Sequence, residues 1–540
     1  MYVNMTKKNT VSAVCKRRRV RFTKAKTIVS LVMLLTLIIS GIIACLFNFL
    51  GFGKVTFNYK SGFYEHDLTL KMGVDGLLML QPITIRYNTN GNDLSNDSHI
   101  YEKEIVLTMP ETGYELYTIS VAACLSNGKC TEPQTMTYIL GENLNDDITL
   151  KVVNVNSAWD NLYDYDTGIM VGGATYDYNE ATVMADDEII FGNYNNRGEK
   201  WMRDAYITMF DTDGELIYDE DAMLGISGGS SSSYDVKSLK ISIPTNENRT
   251  NKVEFRLRSG GQDQFSGNVR SSVASRLTTV SNFDGGNTTE RVVVFLNGDY
   301  YGIFDMQNNY SKEKLAHIFN LTKKSRVEKH KGSEDGVYEL FKISPNVWNN
   351  LSEPRQREEL EKIIDMDDYL KYFAIQILLN NTDWPMNNFE GWRYNGGKSD
   401  NKYEDGRIRF LLYDTDLTFY TEGNVEYFKG SIGDIFEFLM ENKYNGRKST
   451  FNKVMESEYY RNKFVGILEE LINGPFAKEN VLKTIDDEAN RIEHQVKLFS
   501  SEEEYEEWKE WIVLLKKTAA ERNEQLKVGV KKYLGVDLNF

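Results

Sequence analysis

The spacing of apolar residues changes along this chain of 540 residues, and this change limits the possible folds more than any other feature. Residues 54 to about 148 contain short segments in which apolar and polar residues alternate, and residues 150–310 mix such segments with Gly and Ser. From about residue 353 the apolar residues recur at helical spacing, as Tyr369, Phe373 and Ile377 do. A period of two predicts strands and a period near 3.6 predicts helices. A strand-rich half followed by a helical half is typical of a two-lobed α+β domain.

An uncharged stretch near the N-terminus, Thr27–Gly53, is rich in Leu, Ile and Val. A helix needs about 20 apolar residues to cross a bilayer, so this stretch predicts a transmembrane anchor over 27–53. Basic residues crowd positions 16–26, and the positive-inside rule then places a tail of residues 1–26 in the cytoplasm and the body outside. We therefore expect a single-pass protein of the cell membrane. The sequence Ile42–Cys45 resembles a lipobox and leaves a lipoprotein anchored at Cys45 as an alternative.

The charge of the chain excludes one class of partner and suggests another. The formal net charge is -16, and all 79 acidic residues but only 54 of the 63 basic ones lie after residue 53. A body this acidic is unsuited to nucleic acid and should attract basic proteins. The low counts of 5 His and 4 Cys also argue against a zinc-finger or multi-histidine metal protein. Cys124 and Cys130 flank an Asn-Gly turn, and the sequence leaves open whether they form a hairpin disulfide or stay free thiols.

The alternating segments at 54–148 predict a small antiparallel β-sandwich. Three phrases in this region, Ser61–Tyr64, Ile83–Gly91 and Thr135–Tyr138, resemble the small immunoglobulin-like module at the C-terminus of chitobiase and β-hexosaminidase. The resemblance implies an accessory domain that has no catalytic residues of its own.

A glycine- and serine-rich segment, Gly225–Ser233, precedes Lys237. Gly225-Ile-Ser227-Gly228-Gly229 matches the Gly-x-Ser-x-Gly elbow of hydrolases, but the elbow requires a helix after it and the residues that follow alternate as a strand. The segment also lacks the Gly-Lys-Ser/Thr of a Walker A loop. Two interpretations stay open, a flexible hairpin loop and a phosphate-binding loop of the protein-kinase type.

Two acidic motifs follow in the helical half. Asp383 and Asn388 lie five residues apart after an amphipathic helix, the interval that separates the catalytic Asp from the metal-binding Asn in kinases. Asp414 and Asp416 follow a short apolar strand, and carboxylates at i and i+2 project from one face, where they suit Mg²⁺. Asx-rich turns are the structural alternative at both places.

Taken together, these motifs resemble the CotH spore-coat kinase-like family over residues 160–535. The matching segments are Gly228–Ser232 with Lys237-Ser238, Leu257–Gly261 with Arg270, Leu296–Phe304, Asn381–Asn388 and Tyr413–Asp416. The resemblance implies an atypical kinase-like domain over 149–540 that transfers the γ-phosphoryl group of ATP to protein Ser or Thr. It assigns phosphate contacts to Lys237 and to the loop residues Gly228, Gly229, Ser230 and Ser231. It assigns the orientation or deprotonation of the acceptor hydroxyl to Asp383, and Mg²⁺ binding to Asn388, Asp414 and Asp416.

Three positions depart from the family pattern. Ser232 replaces an arginine, Asn308 replaces a glutamate expected to pair with the lysine, and Leu417-Thr418 replaces Phe-Gly. The leading prediction is Mg-ATP-dependent phosphorylation of a protein substrate, and the acidic body favours a basic, Ser-rich one. The alternatives are a catalytically silent surface interaction or adhesion protein of the same family and, with the least support, a glycoside hydrolase, which needs a pair of carboxyl groups across a sugar cleft.

Overall fold

The computed structural model of the chain describes residues 32–38, 53–80, 82–89, 94, 98–126, 128–175, 177–184, 187–245, 252–308, 310–397, 399–419, 434–441 and 448–540. Within these residues, strands predominate before residue 309 and helices after it. This is the order that the spacing of apolar residues predicted.

The first nine strands form the N-terminal β-module, which comprises residues 53–141. They are β1 (Val55–Phe57), β2 (Gly62–Tyr64), β3 (Leu68–Leu70), β4 (Met72–Val74), β5 (Ile83–Asn88), β6 (His99–Ile100), β7 (Ile105–Leu107), β8 (Tyr114–Leu125) and β9 (Gln134–Gly141). Five of them form a sheet in the order β2-β9-β8-β5-β6, and β1-β4 and β3-β7 form two-stranded ladders. A disulfide joins Cys124 to Cys130, which decides between the two alternatives that the sequence left open.

The remaining strands belong to the barrel and to two smaller sheets. They are β10 (Lys151–Ser157), β11 (Asp177–Met184), β12 (Asp187–Phe191), β13 (Arg203–Phe210), β14 (Leu216–Ile226), β15 (Leu239–Pro244), β16 (Lys252–Arg258), β17 (Thr289–Leu296), β18 (Asp299–Asn308), β19 (Val327–Gly332), β20 (Phe389–Tyr394) and β21 (Arg409–Leu411).

Seven of these strands close into a barrel in the order β10-β13-β14-β15-β16-β18-β17. The closure depends on β10, which pairs antiparallel with β13 and parallel with β17. Apolar side chains fill the interior, among them Leu239, Ile241 and Ile243 of β15. Because side chains alternate along a strand, Lys240 and Ser242 lie on the outer face of the same strand. That outer face forms one wall of the cavity described below.

The helices are α1 (Leu144–Asp147), α2 (Trp159–Tyr163), α3 (Arg270–Val280), α4 (Lys312–Ile318), α5 (Glu334–Leu340), α6 (Pro354–Glu361), α7 (Met366–Leu379), α8 (Ile435–Met440), α9 (Thr450–Met455), α10 (Glu458–Ile472), α11 (Lys478–Phe499) and α12 (Glu502–Leu534). The sheet β19-β20-β21 lies among them in the chain.

Helix α7 lies at the centre of the helical region. Asp365 is its N-cap, whose side chain accepts a hydrogen bond from the backbone N–H of Asp368, and Asn380 is its C-cap, in the left-handed conformation (φ 47°). Tyr369, Phe373 and Ile377 are fully buried, as their spacing predicted. The helix therefore delivers the chain into the loop 380–388 from a rigid, buried position.

The β-module packs directly against the rest of the chain. The Tyr114 hydroxyl donates a 2.9 Å hydrogen bond to Gln495 Oε1 on α11, and the Tyr114 ring contacts Phe295 and Phe499. Asn154 Nδ2 of β10 donates to Thr118 Oγ1 at 2.7 Å. The module thus shares buried contacts with both the barrel and the helices.

The fold class expected from the sequence is wrong and needs correction. No helix among the described residues is long and apolar enough to cross a membrane. Of residues 27–52, the structure describes only 32–38, which are helical, and Cys45 lies outside the described residues. This finding contradicts the predicted single-pass anchor and the cell-membrane localisation that depended on it.

The architecture of the body is corrected as well. In place of an immunoglobulin-like sandwich followed by a two-lobed domain, the described residues form β-rich domains, one of them a closed seven-stranded barrel, and a C-terminal helical region. Alternation along single strands cannot reveal the barrel, because closure depends on the parallel pairing of β10 with β17, in which Lys151 lies opposite Val292.

Candidate functional site

A cavity of about 970 Å³ lies between the outer face of the barrel and the loops that follow α7 and β21. Its lining brings together most of the residues that the motifs singled out. They are Gly228–Ser231 from the glycine-serine loop, Arg258 from β16, Asp383 and Asn388 from the loop 380–388, and Tyr413 and Asp414 after β21.

The glycine-serine loop connects β14 to β15 and reaches the cavity through its first residues. Gly228 has a φ of 104°, which favours glycine, and the loop then forms a 3₁₀ turn over Ser230–Ser233. Gly228, Gly229, Ser230 and Ser231 all line the cavity. Their role in binding phosphate stays a prediction, and their position in the cavity lining permits it.

The side chain of Ser232 points away from the cavity. It is fully buried, its Oγ accepts a hydrogen bond from Asn195 Nδ2 at 3.0 Å, and it donates to the carbonyl of Gly229 at 2.7 Å. The guanidinium of Arg197 meanwhile donates to the carbonyl of Gly228 at 2.7 Å. In the family pattern, an arginine occupies the position of Ser232. Here Ser232 and Arg197 instead hold the loop through hydrogen bonds to the backbone carbonyls of Gly229 and Gly228.

Lys237 does not line the cavity. Its side chain is 4% exposed, its Nζ donates to the carbonyl of Tyr234 at 2.5 Å, and the ammonium lies 4.7 Å from the centre of the Tyr194 ring. Burial lowers the pKa of Lys237 to about 8. Tyr194 belongs to the apolar cluster of the barrel, so the Lys237 ammonium packs against the edge of that cluster. A phosphate contact by Lys237 stays a prediction that this position does not support.

Asp383 and Asn388 meet in the turn after α7. Asn388 Nδ2 donates to Asp383 Oδ2 at 2.5 Å, and Asn388 takes the left-handed conformation (φ 54°) that Asn tolerates well. Burial raises the pKa of Asp383 to about 6, and the nearby Asp414 acts in the same direction, while hydrogen bonds from Asn387 and Asn388 oppose it. A carboxylate with a pKa near neutrality is suited to accept a proton.

Asp414 and Asp416 share one cation, Arg258. Its Nη2 contacts Asp414 Oδ1 and lies 3.1 Å from Asp416 Oδ1. Asp414 lines the cavity, whereas Asp416 lies behind it and accepts the backbone N–H of Gln262 at 2.9 Å. Burial raises the pKa of Asp416. Burial opposes ionisation of Asp414 as well, but Arg258 and the hydrogen bond with Asp416 together outweigh it, and the pKa of Asp414 is lowered.

The segment that replaces Phe-Gly is well ordered by hydrogen bonds. The carbonyl of Thr418 accepts Arg270 Nε at 3.1 Å, and the carbonyl of Leu417 accepts the backbone N–H of Thr382 at 3.2 Å. Asn308 ends β18, with its backbone opposite Phe255 on β16. The first two contacts link the aspartate segment to α3 and to the loop after α7.

Sequence reasoning missed Arg256 and Lys331, which line the same cavity. Arg256 lies on the outer face of β16, and Lys331 lies near the end of β19 with its ammonium 4.7 Å from the centre of the Tyr413 ring. The signal for Arg256 was present in Lys252-Val-Glu254-Phe-Arg256-Leu-Arg258, where every second residue is charged. Lys331 had no such signal, because only the fold brings β19 to this site.

The cavity is cationic although the chain is acidic. Four acidic side chains line it, Glu199, Glu254, Asp383 and Asp414. Six cationic side chains line it as well, namely Arg197, Lys240, Lys252, Arg256, Arg258 and Lys331. An excess of positive charge in a cleft attracts anionic ligands.

Oxygen ligands for a cation are present at one end of this cavity. Within the described ranges, no group of three or more His, Cys, Asp or Glu side chains could hold a metal ion. The carboxylate of Asp414 and the amide oxygen of Asn388 nevertheless form a partial set of hard ligands that suits Mg²⁺ when phosphate oxygens complete it. The residues therefore fit a cation that arrives with an anionic ligand.

Comparisons with known proteins give one strong match. A solved kinase region of twitchin from C. elegans is 10% identical, with 88% of this chain and 71% of that chain covered, but its TM-score of 0.16 carries no argument about the fold. No curated protein matches the chain. The family model described as CotH kinase protein matches residues 224–526, more than half of the chain. It begins after the β-module, whose resemblance to the chitobiase module stays a prediction.

The matched range contains the glycine-serine loop, the strands that form the cavity wall, and both acidic motifs. The chain belongs to the CotH kinase protein family.

Proposed function

We propose that this protein transfers the γ-phosphoryl group of ATP to Ser or Thr hydroxyl groups of a protein acceptor. The observation that carries the proposal is the cavity itself, in which Asp383, Asn388 and Asp414 lie at one end of a cationic cleft beside a glycine-serine loop. Phosphoryl transfer depends mainly on positioning and on neutralising charge, and these groups can supply both.

Each residue has a distinct part in this proposal. Asp383, with its pKa raised to about 6, would orient the acceptor hydroxyl and accept its proton. Asn388 and Asp414 would hold Mg²⁺, together with Asp416 if it exchanges its present hydrogen bond from Gln262. Bound Mg²⁺ and ATP would supply a charge-neutralising ion and the transferable phosphoryl group. The loop Gly228–Ser231 would cover the phosphates.

A second candidate is a catalytically silent member of the family that acts as an interaction protein. Two observations favour it. Lys237 lies outside the cavity, and both oxygens of Asp416 already interact with groups of the barrel side, Arg258 and the Gln262 N–H. A silent protein of this kind would keep the fold and would bind nucleotide weakly or not at all.

The test uses the purified full-length chain, labelled ATP, Mg²⁺ or Mn²⁺, and basic Ser-rich proteins as acceptors. We expect label to appear on the acceptor and to disappear in Asp383→Ala, because that variant removes the group that orients the hydroxyl. Asp335→Ala, which changes an acidic residue outside the cavity lining, is the matched control and should transfer label like the native chain. Nucleotide binding without transfer, or transfer that Asp383→Ala leaves unchanged, would favour the silent candidate.

A further inference from the structure

We propose that Arg256 and Lys331 form the phosphate-binding pair of this cavity, a site for a triphosphate-sized anion in which Lys237 has no direct part. The inference rests on the proposed function only for the identity of the ligand as the phosphate chain of a nucleotide. The anion site itself follows from the ion pairs within the cavity.

Three of the six cationic side chains that line the cavity are already paired with carboxylates. Lys240 and Lys252 both bind Glu254, at 3.0 and 2.9 Å, and Arg258 pairs with Asp414 and Asp416. These contacts cancel three of the six positive charges.

Arg197 is committed in a different way. Its guanidinium donates to the backbone carbonyls of Tyr194, Asn196 and Gly228, at 2.6, 2.9 and 2.7 Å. It therefore holds the glycine-serine loop, and few of its N–H groups are left for a ligand.

Arg256 and Lys331 differ from these four cations. In the part of the chain that the structure describes, neither forms an ion pair with a carboxylate, and Arg256 Nε is buried without a hydrogen-bond partner. Burial lowers the pKa of both groups, and Arg256 adds to the effect on Lys331, so the two charges lie close enough to repel each other; Asp414 and Glu390 act in the opposite direction on both. The two cations are therefore only partly compensated, and an anion in the cavity would reduce their repulsion and complete the hydrogen bonding of the Arg256 guanidinium.

A third polar group points to the same ligand. The Tyr413 hydroxyl is buried and lacks a hydrogen-bond partner among the described residues, and its ring lies beneath the Lys331 ammonium. A hydroxyl can donate to a phosphate oxygen. Arg256, Lys331 and Tyr413 come from β16, β19 and the segment after β21, so the site exists only in the folded chain.

The topology of the barrel supports the same assignment. Protein kinases carry the lysine that contacts phosphate on the third strand of the first lobe. Here the glycine-serine loop follows β14, so β16 is the third strand counted from β14, and its outer face carries Arg256. Lys237 lies before β15, one strand earlier, and does not line the cavity.

The test measures the binding of inorganic triphosphate to the full-length chain by isothermal titration calorimetry. Removing one charge-assisted contact should weaken binding by roughly 10- to 100-fold, so we expect this loss in Arg256→Gln and in Lys331→Met. Arg256→Lys keeps the charge and should bind within several-fold of the native chain. This variant guards against a general loss of structure in Arg256→Gln.

Two matched controls remove a positive charge at other positions. Lys240→Met removes a cavity lysine that is paired with Glu254, and Lys237→Met removes the buried lysine. We expect each to change triphosphate binding by less than about threefold. Equal losses in Lys237→Met and Arg256→Gln, native-like binding in both Arg256→Gln and Lys331→Met, or no binding by the native chain would each overturn the inference.

The same titrations separate this inference from the proposed function. If the variants behave as expected with inorganic triphosphate, but ATP with Mg²⁺ binds no better and transfers no label, the anion site stands and the phosphotransferase proposal fails.

Discussion

Substitution of Gly261 directly tests how Asp414 and Asp416 are arranged around Arg258. A Cβ atom at this position would lie 2.1 Å from Asp416 Oδ2 and 3.2 Å from Arg258 Nη2, so alanine cannot be accommodated without moving one of them. Gly261 also has a φ of 58°, which costs an L-residue about 1–2 kcal/mol. Moving Asp416 would break the 2.9 Å hydrogen bond from Gln262, a charge-assisted bond worth about 1.5–3 kcal/mol.

We therefore expect Gly261→Ala to lower the free energy of unfolding by about 2.5–5 kcal/mol, with the two costs adding. Urea unfolding followed by tryptophan fluorescence measures this loss, and the midpoint should fall accordingly. The matched control is Gly535→Ala at the end of α12, which has a φ of 70° and nothing within 4 Å of the added Cβ. It should lose only the 1–2 kcal/mol of backbone strain. If Gly261→Ala is no less stable than Gly535→Ala, Asp416 does not occupy the described position.

Three further outcomes are expected. Burial raises the pKa of Glu334 to about 8, so the folded chain holds a proton that the unfolded chain has lost between about pH 4.5 and 8, and stability falls as pH rises through that window. Glu334→Gln should therefore gain stability relative to the native chain from pH 5 to 8, by up to about 1.4 kcal/mol per pH unit, and parallel melting curves across this range would contradict the assignment. Tyr114→Ala should cost about 3–5 kcal/mol and should speed hydrogen exchange in the β-module, because it removes a buried ring and the hydrogen bond to Gln495; unchanged exchange would show that the contact does not hold the module. Asp414→Asn should abolish the Mg²⁺ dependence of nucleotide binding with a smaller loss of stability than Asp416→Asn, and the reverse order, measured by titration and urea unfolding, would make Asp416 the principal metal ligand.

The local sequence determined the type of each element because side-chain period is a local property. The alternation in Leu239–Ile243 predicts a strand with its apolar residues on one face, and β15 has that face inside the barrel. The spacing of Tyr369, Phe373 and Ile377 predicts the buried face of α7. The five-residue interval from Asp383 to Asn388 brings the two side chains into contact within a single turn. Motif order was likewise enough to predict the family that the model match shows.

The strand pattern did not reveal the orientation of Lys237, because this residue lies before β15, outside the alternating segment. Its contacts with the carbonyl of Tyr234 and the ring of Tyr194 became visible only in the folded chain. Glu254, Arg256 and Arg258 lie on the outer face of β16, and their alternation with apolar residues is visible in the sequence. Only the structure shows that this outer face lines a cavity.

Only the tertiary structure decided where the strands meet. Closure of the barrel requires β10 to pair with β17, and nothing in the local pattern of either strand specifies a parallel partner so far along the chain. The prediction for the long apolar run near the N-terminus was wrong. Its lack of charge predicted a helix that spans a bilayer, but no helix among the described residues is long and apolar enough to do so. Arg256, Lys331 and Tyr413 come together for the same reason as the barrel strands: residues distant in sequence become neighbours only when long-range packing offsets the entropy of closing the loops between them.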